Sequence, residues 1–139
     1  MRICALALLL VAAAIAAGCG GGNDDNEKVL FPAGCTNPSY KPTQIIVTCA
    51  DANTVLKGIS WKSYGSDTAS GSATANVNAC APNCAAGKLQ TFPAMVKLSQ
   101  PKDCRRDVRQ FTHLVLTYTG ARPQGASGSL TEDYPCHGP

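Results

Sequence analysis

Short runs in which apolar and polar residues alternate follow one another along most of the chain after its first forty residues. A two-residue alternation places successive side chains on opposite faces of an extended strand, whereas an amphipathic helix would repeat about every 3.6 residues. The runs are rich in β-branched residues and are separated by Pro, Gly, Asn and Asp. Strands at this spacing, without helices between them, predict an all-β domain that forms a small β-sandwich or a partly open barrel. The predicted strands span residues 43–49, 55–64, 72–79, 88–99 and 109–119.

The second predicted strand carries the chain's single tryptophan. Its alternation places Val55, Ile59 and Trp61 on one face, which we expect to face the core. Gly58 interrupts the run and predicts a bulge or a bend at that point. Trp61 is therefore expected to be a core side chain.

The sequence patterns of the later strands predict different degrees of burial. Residues 72–79 carry small inward side chains, and residues 88–99 alternate clearly but contain Pro93. Because proline has no N–H to donate, Pro93 predicts that this strand lies at an edge or contains a bulge. Residues 109–119 form the most apolar run and are the best candidate for a central strand.

The first eighteen residues have the organisation of an export signal. Arg2 gives a positive start, and residues 3–17 form an unbroken apolar run. A run of this length is shorter than the roughly 18–20 residues that cross a bilayer, so a permanent transmembrane helix is the weaker alternative. Residues 16–19, Ala-Ala-Gly-Cys, resemble a bacterial lipobox, in which the thiol of Cys19 would receive a diacylglyceryl group. The other alternative is cleavage at a small-residue site, which would leave a soluble protein with an unpaired thiol.

The residues after Cys19 predict a tether. The sequence Gly-Gly-Gly-Asn-Asp-Asp-Asn-Glu at 20–27 is flexible and acidic and has no side chains that form a core. The predicted organisation is therefore a lipoprotein signal peptide at 1–18, a lipidated flexible tether at 19–34 and a disulfide-stapled β-domain at 35–139. It predicts a protein held by its lipid on the extracytoplasmic face of the cell membrane.

Composition narrows the classes of partner. The chain has 12 Lys plus Arg and 9 Asp plus Glu. Loss of Arg2 with the signal would leave 11 − 9 = +2, which gives no support for nucleic-acid binding. A domain of about 105 residues buries only about 60–70% of its unfolded surface, so covalent cross-links would add much to its stability.

The cysteine count indicates where those cross-links come from. Apart from Cys4 in the signal and Cys19, six cysteines remain, an even number that predicts three disulfides in an oxidising compartment. We expect Cys104 to pair with Cys136, and Cys49 and Cys35 each to pair with one of Cys80 and Cys84. The segment after residue 120 shows little periodicity, so Cys136 is expected to pin it.

The same patterns contain few candidates for catalytic or metal-binding residues. Cys80 and Cys84 with His113 or His137 would be the zinc alternative, which export makes much weaker than a disulfide, so no metal or cofactor is expected. His113 has no serine or cysteine nucleophile motif to partner it. A small hydrolase would need Asp51, Asp67 or His113 to converge in one pocket. No catalytic residue is therefore assigned.

Binding residues are easier to propose. Tyr40, Trp61 and Tyr64 would offer aromatic faces to a ligand such as a sugar if they are exposed. A basic stretch formed by Lys102, Arg105, Arg106 and Arg109 is diluted by two aspartates, and we expect a solvated loop that contacts anionic headgroups or envelope polymer only weakly.

Several short motifs resemble those of a group of small exported lipoproteins of actinobacterial type. The likeness covers about residues 38–123, and the Cys-Ala-Asp at 49–51, Trp61 and the Cys-x-Pro-x-Cys at 80–84 are its most specific parts. In that group a second aromatic residue, often tryptophan, stands where Tyr64 is. The resemblance implies export, the β fold and bridges at Cys49, Cys80 and Cys84, and it implies no active residue.

These observations predict a non-enzymatic, membrane-anchored β-domain that acts as a binding or interaction module of the cell envelope. Its expected partners are the membrane, through the lipid, and an envelope polymer or protein. The alternatives are a small secreted hydrolase and a purely structural envelope component.

Overall fold

A computed structural model describes residues 28–105 and 107–136. The predicted signal peptide at 1–18, the predicted lipidation site Cys19 and the first part of the predicted tether lie outside these residues, as do Arg106 and His137. The described chain is all-β, and its six strands form one antiparallel sheet in sequence order that curls into a half-barrel. The predicted all-β class is confirmed, and of its two forms the partly open barrel is the observed one. The strands are β1 Gln44–Ile46, β2 Thr54–Tyr64, β3 Ala69–Asn78, β4 Leu89–Asp103, β5 Arg109–Tyr118 and β6 Ser129–Asp133.

The core fills the concave side of the curled sheet. Alternate residues of β3 and β4 point into it, as their patterns predicted, and Ala75, Val96 and Leu98 are buried there. β5 contributes the fully buried Phe111, Leu114 and Leu116. Because these strands bury one face only, apolar and polar residues alternate along them with a two-residue period.

The β2 strand changes face twice because it contains two irregularities. The register against β3 shifts between Lys57 and Ser60, around Gly58, whose φ is +61°. The predicted bulge at Gly58 is therefore confirmed, but its effect on the core was misjudged. An extra residue inverts the alternation, so Leu56 is fully buried together with Ile59, while Val55 is only half-buried.

The prediction that Pro93 places its strand at an edge or in a bulge was wrong. β4 lies between β3 and β5, and its pairing with β3 passes through Pro93 without a shift, opposite Thr74. The carbonyl of Pro93 accepts a hydrogen bond from the Thr119 N–H at 3.0 Å, just beyond Ala94, the first β4 residue paired with β5. Proline is tolerated because its missing N–H falls on the side where the ladder ends.

The pattern also missed an element and misplaced the centre of the sheet. β6, at Ser129–Asp133, pairs with β5 inside the segment for which no strand was predicted. β5 is an internal strand, as expected, but the middle positions belong to β3 and β4.

The open side of the half-barrel is covered by the segment that precedes Cys35. Val29 and Phe31 are buried in the core, and Leu30 pairs with Gln110 of β5. Tyr134, just after β6, packs its ring on Phe31 with centroids 4.6 Å apart. The folded domain thus begins by Lys28, earlier than the predicted boundary at Cys35, because the apolar residues just after the acidic linker belong to the core.

Three disulfides cross-link the domain, and only one of the expected pairings is correct. Cys104 pairs with Cys136, as predicted. The other two expected pairings were wrong, because the segment before Cys35 runs beside β1, where the Ile46 N–H donates to the Ala33 carbonyl at 2.8 Å. The observed bridges are Cys35–Cys49, Cys80–Cys84 and Cys104–Cys136.

Candidate functional site

The three aromatic residues selected from the sequence lie together at the end of β2. The ring of Tyr64 lies 5.2 Å from that of Tyr40 and 5.0 Å from that of Trp61, both in edge-to-face contact. Tyr64 also contacts the buried Phe111 at 5.7 Å, so the cluster continues into the core. Edge-to-face pairs of this kind stabilise by about 0.5–1.5 kcal/mol beyond the area they bury.

A second irregularity in β2 brings Trp61 and Tyr64 to the same side. Residues three apart on a regular strand would face opposite ways, but the register shifts again between Trp61 and Ser63. Gly71 of β3 allows this, since a Cβ there would lie 2.5 Å from the backbone oxygen of Ser60. The aromatic cluster therefore depends on a glycine on the neighbouring strand.

The loop before β1 positions Tyr40 over these rings. Phe31 and Ser39 exchange two backbone hydrogen bonds of 2.9 Å, which fix the base of the loop. The indole N–H of Trp61 donates to the buried Pro42 carbonyl at 2.9 Å. Lys41, which lies between Tyr40 and Pro42 in the sequence, has a φ of +48°, a left-handed conformation that turns the chain sharply. Trp61 is thus half-buried and holds the loop, while Tyr40, 42% exposed, forms the outer surface.

Two lysines complete the cluster. The Nζ atoms of Lys28 and Lys41 lie 5.5 and 5.3 Å from the centroid of the Tyr40 ring, and that of Lys41 lies 6.0 Å from Tyr64. These are cation–π distances. No carboxylate of residues 28–105 or 107–136 lies within ion-pair distance of either ammonium group. We call Lys28, Tyr40, Lys41 and Tyr64 the tyrosine–lysine patch.

The Tyr64 hydroxyl is the least satisfied polar group of the patch. It is buried, and although it lies near the Lys41 backbone, it makes no hydrogen bond of ordinary geometry within the described chain. Desolvation raises its pKa to about 12, with a smaller opposing effect from the Lys41 backbone. Tyr64 therefore stays neutral at physiological pH and presents a ring rather than a charge.

The patch has the chemistry of a surface for anions. Its exposed ammonium groups carry charge that no carboxylate of the described residues neutralises, and the Tyr40 ring adds an amphipathic surface. The rings meet edge to face, so they do not form the coplanar platform on which a sugar ring would stack.

The residues that a hydrolase would need do not converge. Asp51 lies in the β1–β2 turn, where its carboxylate accepts hydrogen bonds from Asn53, and Asp67 lies in the β2–β3 turn at the opposite end of β2. His113 lies on β5, three strands from β2 in the sheet order. The geometry therefore lacks the constellation on which the hydrolase alternative rests.

His113 has a partner that the sequence did not reveal. Its Nδ1 lies 2.6 Å from a carboxylate oxygen of Asp133, the residue directly opposite it on β6. Ser99 stands on its other side on β4, but within the described part of the chain it makes no side-chain hydrogen bond to His113. β5 is paired with β4 and β6 on either side of His113, and the Asp133 side chain is largely exposed, so this contact is a pairing at the surface of the sheet. Asp133 could have been identified as the partner of His113 only if β6 had been predicted from the sequence.

The described residues hold no group of three or more His, Cys, Asp or Glu side chains that could bind a metal ion. Cys80 and Cys84 of the zinc alternative are joined to each other. Within the basic stretch, Arg105 lines a cavity of about 230 Å³ beside Cys104, and Arg109 lies 4.0 Å from Asp103.

A second cavity lies at the opposite end of the half-barrel. Its volume is about 330 Å³, and Val77, Tyr118 and Leu130 give it an apolar wall. Burial raises the pKa of Tyr118. Hydroxyl groups of Thr48, Thr54, Ser127 and Ser129 lie around it.

Comparison with protein-family models, curated proteins and solved structures finds no match to this chain. Within the residues that the structure describes, no helix has the length and apolar character needed to cross a membrane.

Proposed function

We propose that this protein is exported, lipid-modified on Cys19, and acts at the extracytoplasmic face of the membrane as a non-enzymatic binding module for an anionic component of the cell envelope. The observation that carries the proposal is the tyrosine–lysine patch, two lysines that have no ion-pair partner among residues 28–105 and 107–136 and that lie around an exposed tyrosine ring. A purely structural component would have no need of such a surface.

The charge balance of the folded part supports an anionic partner. Between residues 28 and 136 the sequence has 11 Lys plus Arg and 6 Asp plus Glu, because three of the nine acidic residues fall in the linker before Lys28. The net charge of the whole chain is therefore less positive than that of the domain, because it includes the acidic linker. A basic surface raises the local concentration of anionic polymers and speeds their association.

The cysteines support export. Three disulfides are stable in an oxidising compartment and rare in the cytoplasm. The six domain cysteines pair among themselves, which supports a separate role for Cys19 as the lipid acceptor.

The binding role is tested with the chain from residue 19, carrying Cys19→Ser and with its disulfides formed. It is incubated with isolated envelope fractions, and the retained protein is measured. We expect Lys28→Gln with Lys41→Gln to reduce retention at least fivefold. Lys57→Gln with Lys88→Gln, which removes the same charge from exposed positions outside the patch, should reduce it less than twofold. Equal loss in both variants, or no retention of the wild type, contradicts the proposal.

The anchor is tested separately in cells. Growth with a labelled fatty acid should label the wild-type chain and leave Cys19→Ala unlabelled, and the variant should move from the membrane fraction to the medium. Equal labelling of the two chains would refute lipidation at Cys19.

A further inference from the structure

The folded chain emerges at one particular end of the half-barrel. Leu30 pairs in parallel with Gln110, through bonds from the Leu30 N–H to the Arg109 carbonyl and from the Phe111 N–H to the Leu30 carbonyl. Two residues earlier in both segments, Lys28 lies level with Val108, at the turn between β4 and β5. In an up-and-down sheet this is the end that also holds the β2–β3 turn, immediately after Tyr64.

The tyrosine–lysine patch lies at the same end. Lys28 is the first described residue and a member of the patch, so the chain that leads to Cys19 starts from the patch itself. Nine positions separate Cys19 from Lys28, and a flexible chain of that length has a root-mean-square reach of about 17 Å. The opposite end is farther by the length of a strand, about 33 Å for ten residues.

Charge at this end favours a negative surface. Among the described residues, the charged side chains in its turns and strand ends are Lys28, Lys41, Lys62, Lys102, Arg105 and Arg109, with Asp67, Asp103 and Asp107. In the described part of this end six cations thus face three anions, one of which, Asp103, lies beside Arg109. The linker before Lys28 carries three further acidic residues, so the positive excess belongs to the folded part alone. Neither lysine of the patch has a carboxylate within ion-pair distance among the residues that the structure describes.

The side chains also suit the boundary between lipid and water. Tyrosine is enriched there because its ring is apolar and its hydroxyl is polar. Lysine reaches from such a boundary to headgroup phosphates with its ammonium group, while its methylene stem covers apolar surface.

We propose that the tyrosine–lysine patch is a docking surface for the anionic phospholipid headgroups of the membrane that carries the anchor. This assignment rests on the proposed function and names lipid as the anionic component. The lipid on Cys19 holds the domain near the membrane, and the patch then sets which end lies on it. A weak contact suffices, because tethering makes docking an intramolecular event at high effective concentration.

The test uses the oxidised chain from residue 19 with Cys19→Ser, so that binding does not depend on the acyl chains. Sedimentation with phosphatidylglycerol vesicles is compared with sedimentation with phosphatidylcholine vesicles at low salt. We expect binding to the anionic vesicles only, weakened as salt rises. Loss of Lys28 and Lys41 together should lower the partition coefficient roughly 25-fold, or about fivefold for each charge.

Orientation is read from Trp61, the single tryptophan, which packs against Tyr64 in the patch. Lipids with a nitroxide on the headgroup should quench its fluorescence in anionic vesicles. Lys57→Gln with Lys88→Gln should retain both binding and quenching to within twofold. An equal loss in this control, or binding without quenching of Trp61, overturns the oriented docking surface.

The outcome also separates this inference from the proposed function. If anionic vesicles do not bind the chain but envelope polymer retains it through Lys28 and Lys41, the lipid assignment is wrong and the binding function stands. If neither retains the chain, both are wrong.

Discussion

The hydroxyl of Tyr134 forms hydrogen bonds across the gap between the two edge strands of the sheet, β1 and β6. Its removal is therefore a direct test of the fold. It donates to the Ile46 carbonyl at 2.9 Å and to the Val47 carbonyl at 3.1 Å. These carbonyls belong to the last residue of β1 and to the residue after it, whereas Tyr134 follows β6, so the contact spans the gap that strand pairing leaves open. Tyr134 is only 4% exposed, and its burial, with a smaller effect of Glu132, raises its pKa. Tyr134→Phe would therefore leave buried carbonyls without this donor while keeping the ring.

The expected cost follows from this geometry. Loss of the donor to a buried carbonyl costs about 1–3 kcal/mol, a large part of the 5–15 kcal/mol that stabilises an ordinary domain. At a urea dependence of about 1–2 kcal/mol per molar for a domain of this size, the midpoint should fall by about 1 M. Tyr134→Ala should cost about 3–5 kcal/mol, because it also removes the ring packed on Phe31.

Urea unfolding of the oxidised chain, followed by tryptophan fluorescence and circular dichroism, measures the effect. Tyr118→Phe is the matched control, because the Tyr118 ring packs on Phe92 and its hydroxyl makes no hydrogen bond to another described residue. This variant should lie within about 0.5 kcal/mol of wild type. If Tyr134→Phe is as stable as wild type, or no less stable than Tyr118→Phe, the hydroxyl does not close the sheet.

Three further expectations concern other parts of the domain. Gly71→Ala should destabilise the domain by about 1–3 kcal/mol and alter Trp61 fluorescence, because the added Cβ would clash with the Ser60 backbone. Gly34→Ala is the control and should be neutral, because nothing lies within 4 Å of the added atom. Removal of the Cys104–Cys136 bridge, which spans 32 residues, should cost about 3.7 kcal/mol, against about 2 kcal/mol for the bridge that spans 4, and the opposite order of urea midpoints would refute this loop-length reasoning. The pKa of Tyr64 is raised to about 12, so its contribution to stability is complete below pH 10 and is lost as pH rises through 12. Tyr64→Phe should therefore lose less of its urea midpoint over that pH range than wild type. Identical pH profiles for the two chains would contradict this expectation. The same substitution should leave stability at pH 7 unchanged or raise it by up to about 1 kcal/mol, because the hydroxyl it removes makes no hydrogen bond of ordinary geometry within the described residues.

Local alternation was sufficient to predict most of the sheet. β3 and β4 keep a strict two-residue period because one face is buried, and such a period survives in the sequence. β6 was missed because Ser129–Asp133 is short and largely polar, as suits a strand whose outer edge is exposed. The position of Pro93 could not be predicted, because it depends on where the ladder with β5 ends, which is a property of the folded sheet.

The aromatic part of the candidate site was predicted, but its full composition was not. Tyr40, Trp61 and Tyr64 were selected for their residue type alone, and the structure brings them together through the bulge after Trp61. Lys41 is adjacent to Tyr40 in sequence and could have been included. Lys28 could not, because it reaches the patch only after the Val29–Phe31 segment packs into the core.

The connectivity of the sheet links these observations to orientation. In an up-and-down sheet, successive turns alternate between two ends, so if Cys19 carries the proposed lipid, the end from which the chain leaves determines which turns can approach the membrane. The chain leaves beside Lys28, and the patch and the β4–β5 turn share that end. The cavity beside Tyr118 lies at the other end, where the β1–β2 turn and the segment after β5 meet. If the patch lies on lipid, that cavity faces away from the membrane and is the part of the domain free to meet a further ligand.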